Sequence, residues 1–111
     1  MNKNIILPDY NHSILNLITS VLKYYNVETN HTTLETLNKH LDKKYRNVIF
    51  LVLDGMGEHI LNNISPDGFF NSKKIDCITS VYPSTTTAAL TTYYSRKATL
   101  WNWMDSMVSI F

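Results

Sequence analysis

The chain has 111 residues, of which 44% are hydrophobic and 17% charged, and its formal net charge is +1 at neutral pH. That length holds one domain at most, since domains usually run to about 100–200 residues. The balance of apolar and charged residues is that of an ordinary soluble α/β or α+β protein and excludes a disordered one. So small a charge also removes any electrostatic case for a nucleic-acid polymer or an acidic membrane as partner. Cys77 has no second cysteine to pair with, so it can form no internal disulfide and no Cys-based metal site. Set in an apolar run with no cation beside it, it reads as a small core residue. The stretch Met1–Pro8 is too short in apolar residues for a signal peptide. The longest apolar run, Val48–Leu53, falls far below the roughly 18 residues of a membrane span. A cytoplasmic protein is the expectation.

In chain order, Ile14, Leu15, Leu17, Ile18, Val21 and Leu22 recur at helical spacing behind the capping candidates Asp9, Asn11 and Ser13. Thr32-Thr-Leu-Glu35 reads as a capping box, with Leu34, Leu37 and Leu41 on one face of the helix it opens. Lys43, Lys44 and Arg46 then suit a helix C-terminus. Asn47-Val-Ile-Phe-Leu-Val-Leu-Asp54 is unbroken, apolar and of strand length, the pattern of a parallel strand buried on both faces. Glu58–Ile64 is a short helix and Ser65-Pro-Asp-Gly68 a turn. Ile75–Val81 reads as a second strand, and Ser84–Tyr94, after Pro83, as a helix. This order predicts the start of a doubly wound sheet. From Arg96 onward the chain shows no clear period and fits neither helix, strand nor loop of what precedes it. The expected division is 1–95 for the domain and 96–111 for a foreign tail.

Two points carry chemistry, both where an open α/β sheet places ligands, beyond the C-terminal ends of strands. Asp54 closes an apolar strand, where an isolated carboxylate wants a cation or donors. It is either a ligand for a hard divalent ion or a residue that caps the next helix or shapes the turn. Ser84-Thr-Thr-Thr87 packs hydroxyls at a helix start, where free N–H groups and the helix dipole attract phosphate. A hydroxyl there becomes a useful nucleophile only when a base or metal activates it. The plainer reading is a Ser/Thr N-cap. Among the rest, His12, His31, His40 and His59 show no i, i+4 metal pair and read as surface or satisfied side chains. Glu58 reads as a solvated residue at a helix start, and Tyr93 and Tyr94 as packing for the last helix.

Taken in order, Leu53-Asp-Gly-Met-Gly57 and Ser80-Val-Tyr-Pro-Ser-Thr-Thr-Thr-Ala-Ala-Leu-Thr-Thr92 resemble the type I phosphodiesterase/nucleotide pyrophosphatase family of the alkaline phosphatase superfamily. The resemblance spans about residues 45–95. It implies the N-terminal part of an alkaline-phosphatase-like, mostly parallel doubly wound α/β sheet, incomplete here. It also implies two divalent metal ions, zinc first and manganese second, and a phosphodiester or nucleotide substrate. Asp54 matches the metal-binding aspartate. Thr86, third after Pro83, matches the nucleophile that also meets the metal and forms a covalent phospho-enzyme. Thr85 and Thr87 are the alternatives in register and the candidates to bind phosphate. Asp54 and Thr86 are then expected to meet at one edge of the sheet. Where the family often has an asparagine that helps hold the phosphoryl oxygens, this chain has Ala89, which leaves the substrate type open.

The family draws its remaining Asp and His ligands from a much longer chain, so the expectation is an N-terminal fragment, inactive alone. The alternatives are a small phosphate-binding module and half of a split enzyme that needs a C-terminal partner chain. A sheet cut after two strands also exposes an edge, which invites self-association. In the family, Gly-Lys, a Gly-Trp and a second Trp usually follow the position of Ser95. One permissible set of codons for 96–111, read one base on, encodes all of these together, so the tail is expected to be out of frame.

Overall fold

Ser13 and Asn16 open the first helix by capping it reciprocally. The computed structural model describes residues 7–82 and 85–95 and the backbone of a strand at 107–110. Ser13 Oγ accepts from the Leu15 N–H at 3.3 Å, and the Ser13 N–H donates to Asn16 Oδ1 at 2.9 Å. Two N–H groups are thereby satisfied at the start of α1, Ile14–Tyr24. Of the other sequence candidates, Asp9 serves the preceding turn instead, its Oδ1 accepting from the Asn11 N–H at 2.9 Å.

Ile14 and Leu17 join Leu34, Ile78, Val81 and Ala88 in the core. Polar residues of α1 are buried with them, because each is satisfied. Thr19 and Ser20 return hydroxyl hydrogen bonds to Leu15 O and Asn16 O at 2.8 and 3.0 Å. Asn16 Nδ2 donates to both Thr32 O (3.0 Å) and Thr32 Oγ1 (2.8 Å). Thr32 is therefore spent on α1. The capping box expected at Thr32–Glu35 does not form: α2 runs Glu35–Leu41 behind Leu34, with no side-chain cap.

The strand expected over 47–54 is absent as well. These residues join no ladder among the described residues, and Ile49 and Leu51 are 89% and 72% exposed. A strand apolar on both faces needs pairing at its edges and helices above and below. Here one edge of the natural neighbour is paired along its length and the other is held at Thr79. That neighbour is β1, Asp76–Thr79, which lies within the predicted Ile75–Val81. On one side the Thr79 N–H donates to His12 O at 3.0 Å, forming a parallel bridge between Ser13 and Thr79. On the other, β1 pairs antiparallel with β2, Met107–Ile110, Asp76 opposite Ile110 and Thr79 opposite Met107.

β2 lies in the segment read from sequence as foreign to the domain, so four of its residues do enter the fold as strand. Such a ladder uses backbone groups that any residue but proline can offer. Between these strands and the first two helices, α3 spans Glu58–Ile64 and α4 Phe69–Lys73. The turn at Ser65–Gly68 joins them, closed by the Gly68 N–H to Ser65 O at 3.1 Å. The helix α5, Thr86–Ser95, follows β1. Pro83, Ser84 and most of the tail lie outside the described residues.

The chain is thus a small α/β domain. Among the described residues the pairing is a short antiparallel ladder with one parallel bridge, and the expected parallel doubly wound sheet is not formed by them. No helix among the described residues is long and apolar enough to cross a membrane.

Candidate functional site

Asp54 follows the apolar segment at a turn whose next residue, Gly55, has φ of 69°. Nothing crowds that glycine, so the backbone conformation rather than space is what favours it. Asp54 does not cap α3, whose N-cap is Gly57 and which has no side-chain cap. It meets α5 instead. Thr86 Oγ1 donates to Asp54 Oδ1 at 3.0 Å across 32 residues of sequence. Both residues are exposed, and Thr86 is the first residue of its helix. A carboxylate at that position is favoured by the free N–H groups and the dipole of α5. The two lie together without a sheet edge beneath them.

The neighbouring hydroxyls differ in use. Thr85 Oγ1 accepts from the Ala88 N–H at 3.2 Å, the geometry of an N-cap. Thr87 is exposed, and its side chain makes no hydrogen bond among the described residues. Behind the site, Tyr93 stands edge-on to Phe50, ring centres 5.1 Å apart, and burial pushes its hydroxyl up to about 12. Tyr94 does not share that packing role: it is 83% exposed, because it leaves α5 on the side away from the core. A cavity of about 470 Å³ lies beside this pair, walled by Leu17, Val21, Leu41, Phe50, Met56 and Phe70.

As a metal site the arrangement is incomplete. Asp54 supplies one carboxylate and Thr86 one hydroxyl, and no group of three His, Cys, Asp or Glu side chains comes together among the described residues. Two divalent ions need several such donors between them. The described residues do not by themselves fit a two-ion centre.

Two clusters escape the sequence reading. His12 Nε2 lies 3.0 Å from Asp76 Oδ1, Thr36 donates to Asp76 Oδ2, and the Cys77 N–H donates to Asp76 Oδ1 at 2.7 Å. His12 is thus a satisfied histidine. Glu58 is not the solvated residue expected at a helix start. Lys74 Nζ reaches its Oε1 at 2.6 Å and the Cys77 thiol donates to Oε2. The thiol is pushed up to about 12, first by burial and then by Glu58, and stays protonated at neutral pH. Side-chain partners 16 to 64 residues apart leave no spacing pattern in a sequence.

These clusters set the acid limit of the fold. Burial alone would raise Asp76, but hydrogen bonds from Thr36, His12 and the Cys77 N–H outweigh it and hold the carboxyl below its ordinary 3.8. Glu58 is held below its ordinary 4.5, first by the Cys77 thiol and then by Lys74. A depressed carboxylate stabilises the fold above its unfolded pKa, and that stability is lost as pH falls through the folded one. Denaturant midpoints are therefore expected to fall as the pH drops from 4.5 through 3.8 and below. Glu58→Gln with Asp76→Asn should flatten that limb. An unchanged slope in the double variant would refute the assignment.

Comparison with protein families, curated proteins and solved structures finds no match to this chain.

Proposed function

We propose that residues 45–95 are the nucleophile-bearing part of a metal-dependent phosphodiesterase of the nucleotide pyrophosphatase type. In this reading Thr86 attacks phosphorus and Asp54 binds a divalent ion. The observation that supports it is the 3.0 Å hydrogen bond from Thr86 to Asp54, between the two positions that the sequence resemblance singles out. At the first turn of α5, Thr86 stands where a helix end attracts the oxygens of a phosphate group. Asp54 orients the Thr86 hydroxyl. A hydroxyl so held remains a weak nucleophile until a stronger base or a metal activates it. With one carboxylate in reach, the chain by itself is inactive, and its missing ligands belong to further polypeptide, in the same chain or in a partner. The alternative, a metal-free phosphate-binding module, is disfavoured by Asp54 itself, whose negative charge stands where the phosphate would sit.

The 111-residue protein with zinc or manganese is expected not to hydrolyse a nitrophenyl phosphodiester above background. Turnover that vanishes in Thr86→Ala would overturn the incomplete site while keeping its nucleophile. The positive test is the coding DNA with one base skipped after the Ser95 codon. Its product should hydrolyse the diester with zinc and lose that activity in Thr86→Ala. A shifted frame that stops within a few codons, or lacks further Asp and His residues, sinks the out-of-frame tail.

A further inference from the structure

The segment 47–53, which forms no strand within its own domain, offers a second copy of the chain an unpaired backbone with a built-in orientation. Ile49 and Leu51, two apart, are 89% and 72% exposed, while Phe50 between them is 43% exposed and stands against Tyr93. That alternation is the period of an extended strand with one face against its own domain. Among the described residues nothing hydrogen-bonds to the backbone of 47–53. A row of open N–H and C=O groups is a template for another strand.

The charges at the two ends choose the partner and its direction. Arg46 precedes the segment and Asp54 follows it, both exposed. Laid antiparallel on itself about Phe50, the segment puts Ile49 opposite Leu51 and Arg46 opposite Asp54, each pair occurring twice. A parallel, in-register pairing would instead set Arg46 on Arg46 and Asp54 on Asp54, and like charges directly opposite are destabilising. The antiparallel arrangement is also the one a two-fold axis generates, with the axis through Phe50. Asp54 Oδ1 is engaged by Thr86, whereas Oδ2 has no partner among the described residues and is left for a guanidinium. The positive φ of Gly55 ends the strand one residue beyond the charge pair.

We propose that residues 46–54 form a homodimer interface, an antiparallel two-stranded ribbon closed at both ends by Arg46–Asp54 pairs. This interface stands apart from the phosphodiesterase reading, since it uses Asp54 as a charge and not as a metal ligand.

Sedimentation equilibrium of the full chain over micromolar to millimolar concentrations tests it. The wild type is expected to dimerise, and amides 47–53 to gain protection from hydrogen exchange as concentration rises. Arg46→Asp and Asp54→Arg should each raise the dimer dissociation constant by about tenfold or more, and the two together should recover most of that loss. Arg46 has no partner among the described residues, so Arg46→Asp should leave the helical circular dichroism unchanged and serve as the folded reference. A wild type that stays monomeric throughout overturns the proposal. So does an assembly that ignores both single variants, or one that the swapped pair fails to restore.

Discussion

Ile78→Ala is expected to lower the urea midpoint by about 1–3 M with little change in slope, leaving the chain close to its unfolding threshold. Ile78 is 0% exposed in β1 and belongs to the same buried cluster as Ile14 and Leu17 of α1 and Ala88 of α5. Truncating a buried isoleucine to alanine typically costs about 2–5 kcal/mol, part transfer and part cavity. A β1 tied on both edges cannot shift to close the gap. Small domains have little to spare, since total stability is about 5–15 kcal/mol and short chains bury the smallest fraction of their surface. This one also leaves Ile49, Leu51, Ile64 and Phe69 largely in water. Exposed Ile64→Ala is the control and should shift the midpoint little. If Ile78→Ala moves it no further than Ile64→Ala does, the core assigned around β1 is not the one that holds the chain.

The contrast between these isoleucines shows what the sequence could and could not convey. Ile14, Leu15 and Leu17 recur at helical spacing, and α1 forms there because periodicity reports a local conformation and the face it buries. Glu58–Ile64 and the helix that begins at Thr86 are legible from the glycines and the proline that precede them and not from an apolar period. The sequence of Asn47–Asp54 suggests a doubly buried strand because composition reports what a segment would bury, not whether a neighbour exists to bury it. β1 had its edges taken by Ser13 and by β2, and the run was left outside. β2 in turn was illegible, because a backbone ladder demands little of the residues that make it. In the site, the order of Asp54 and the hydroxyl cluster carried the resemblance, but the bond between Asp54 and Thr86 is a matter of three dimensions. So are the partners of Asp76 and Glu58, which come from four separate parts of the chain.

Asn16→Ala is expected to destabilise the domain by about 2–4 kcal/mol, more than a lost helix cap alone would. Asn16 is 0% exposed and serves two elements at once. Its Oδ1 accepts from the Ser13 N–H and the Ser13 hydroxyl, and its Nδ2 donates to the carbonyl and hydroxyl oxygens of Thr32. Alanine strands the N–H and hydroxyl of Ser13, which is 0% exposed, and each buried polar group left without a partner costs about 1–3 kcal/mol, whereas the exposed Thr32 can turn to water. Asn16→Asp separates the two halves of this role. The new carboxyl can still accept from Ser13, but while ionised it turns an acceptor toward the Thr32 oxygens and carries a buried charge. Protonation supplies one donor and removes the charge, so the folded state holds that proton more tightly than the unfolded chain does. A carboxyl whose folded pKa is raised loses stability as pH rises and regains it as pH falls. The gap between wild type and Asn16→Asp should therefore narrow as pH falls toward the acid range, opposite in sign to the limb set by Asp76 and Glu58. Denaturant titrations of the three proteins at several pH values measure it. A cost for Asn16→Ala below about 0.5 kcal/mol, the range of an ordinary surface change, would show that Asn16 does not bridge α1 to Thr32. A gap for Asn16→Asp that stays constant with pH would show that its side chain is not enclosed between them.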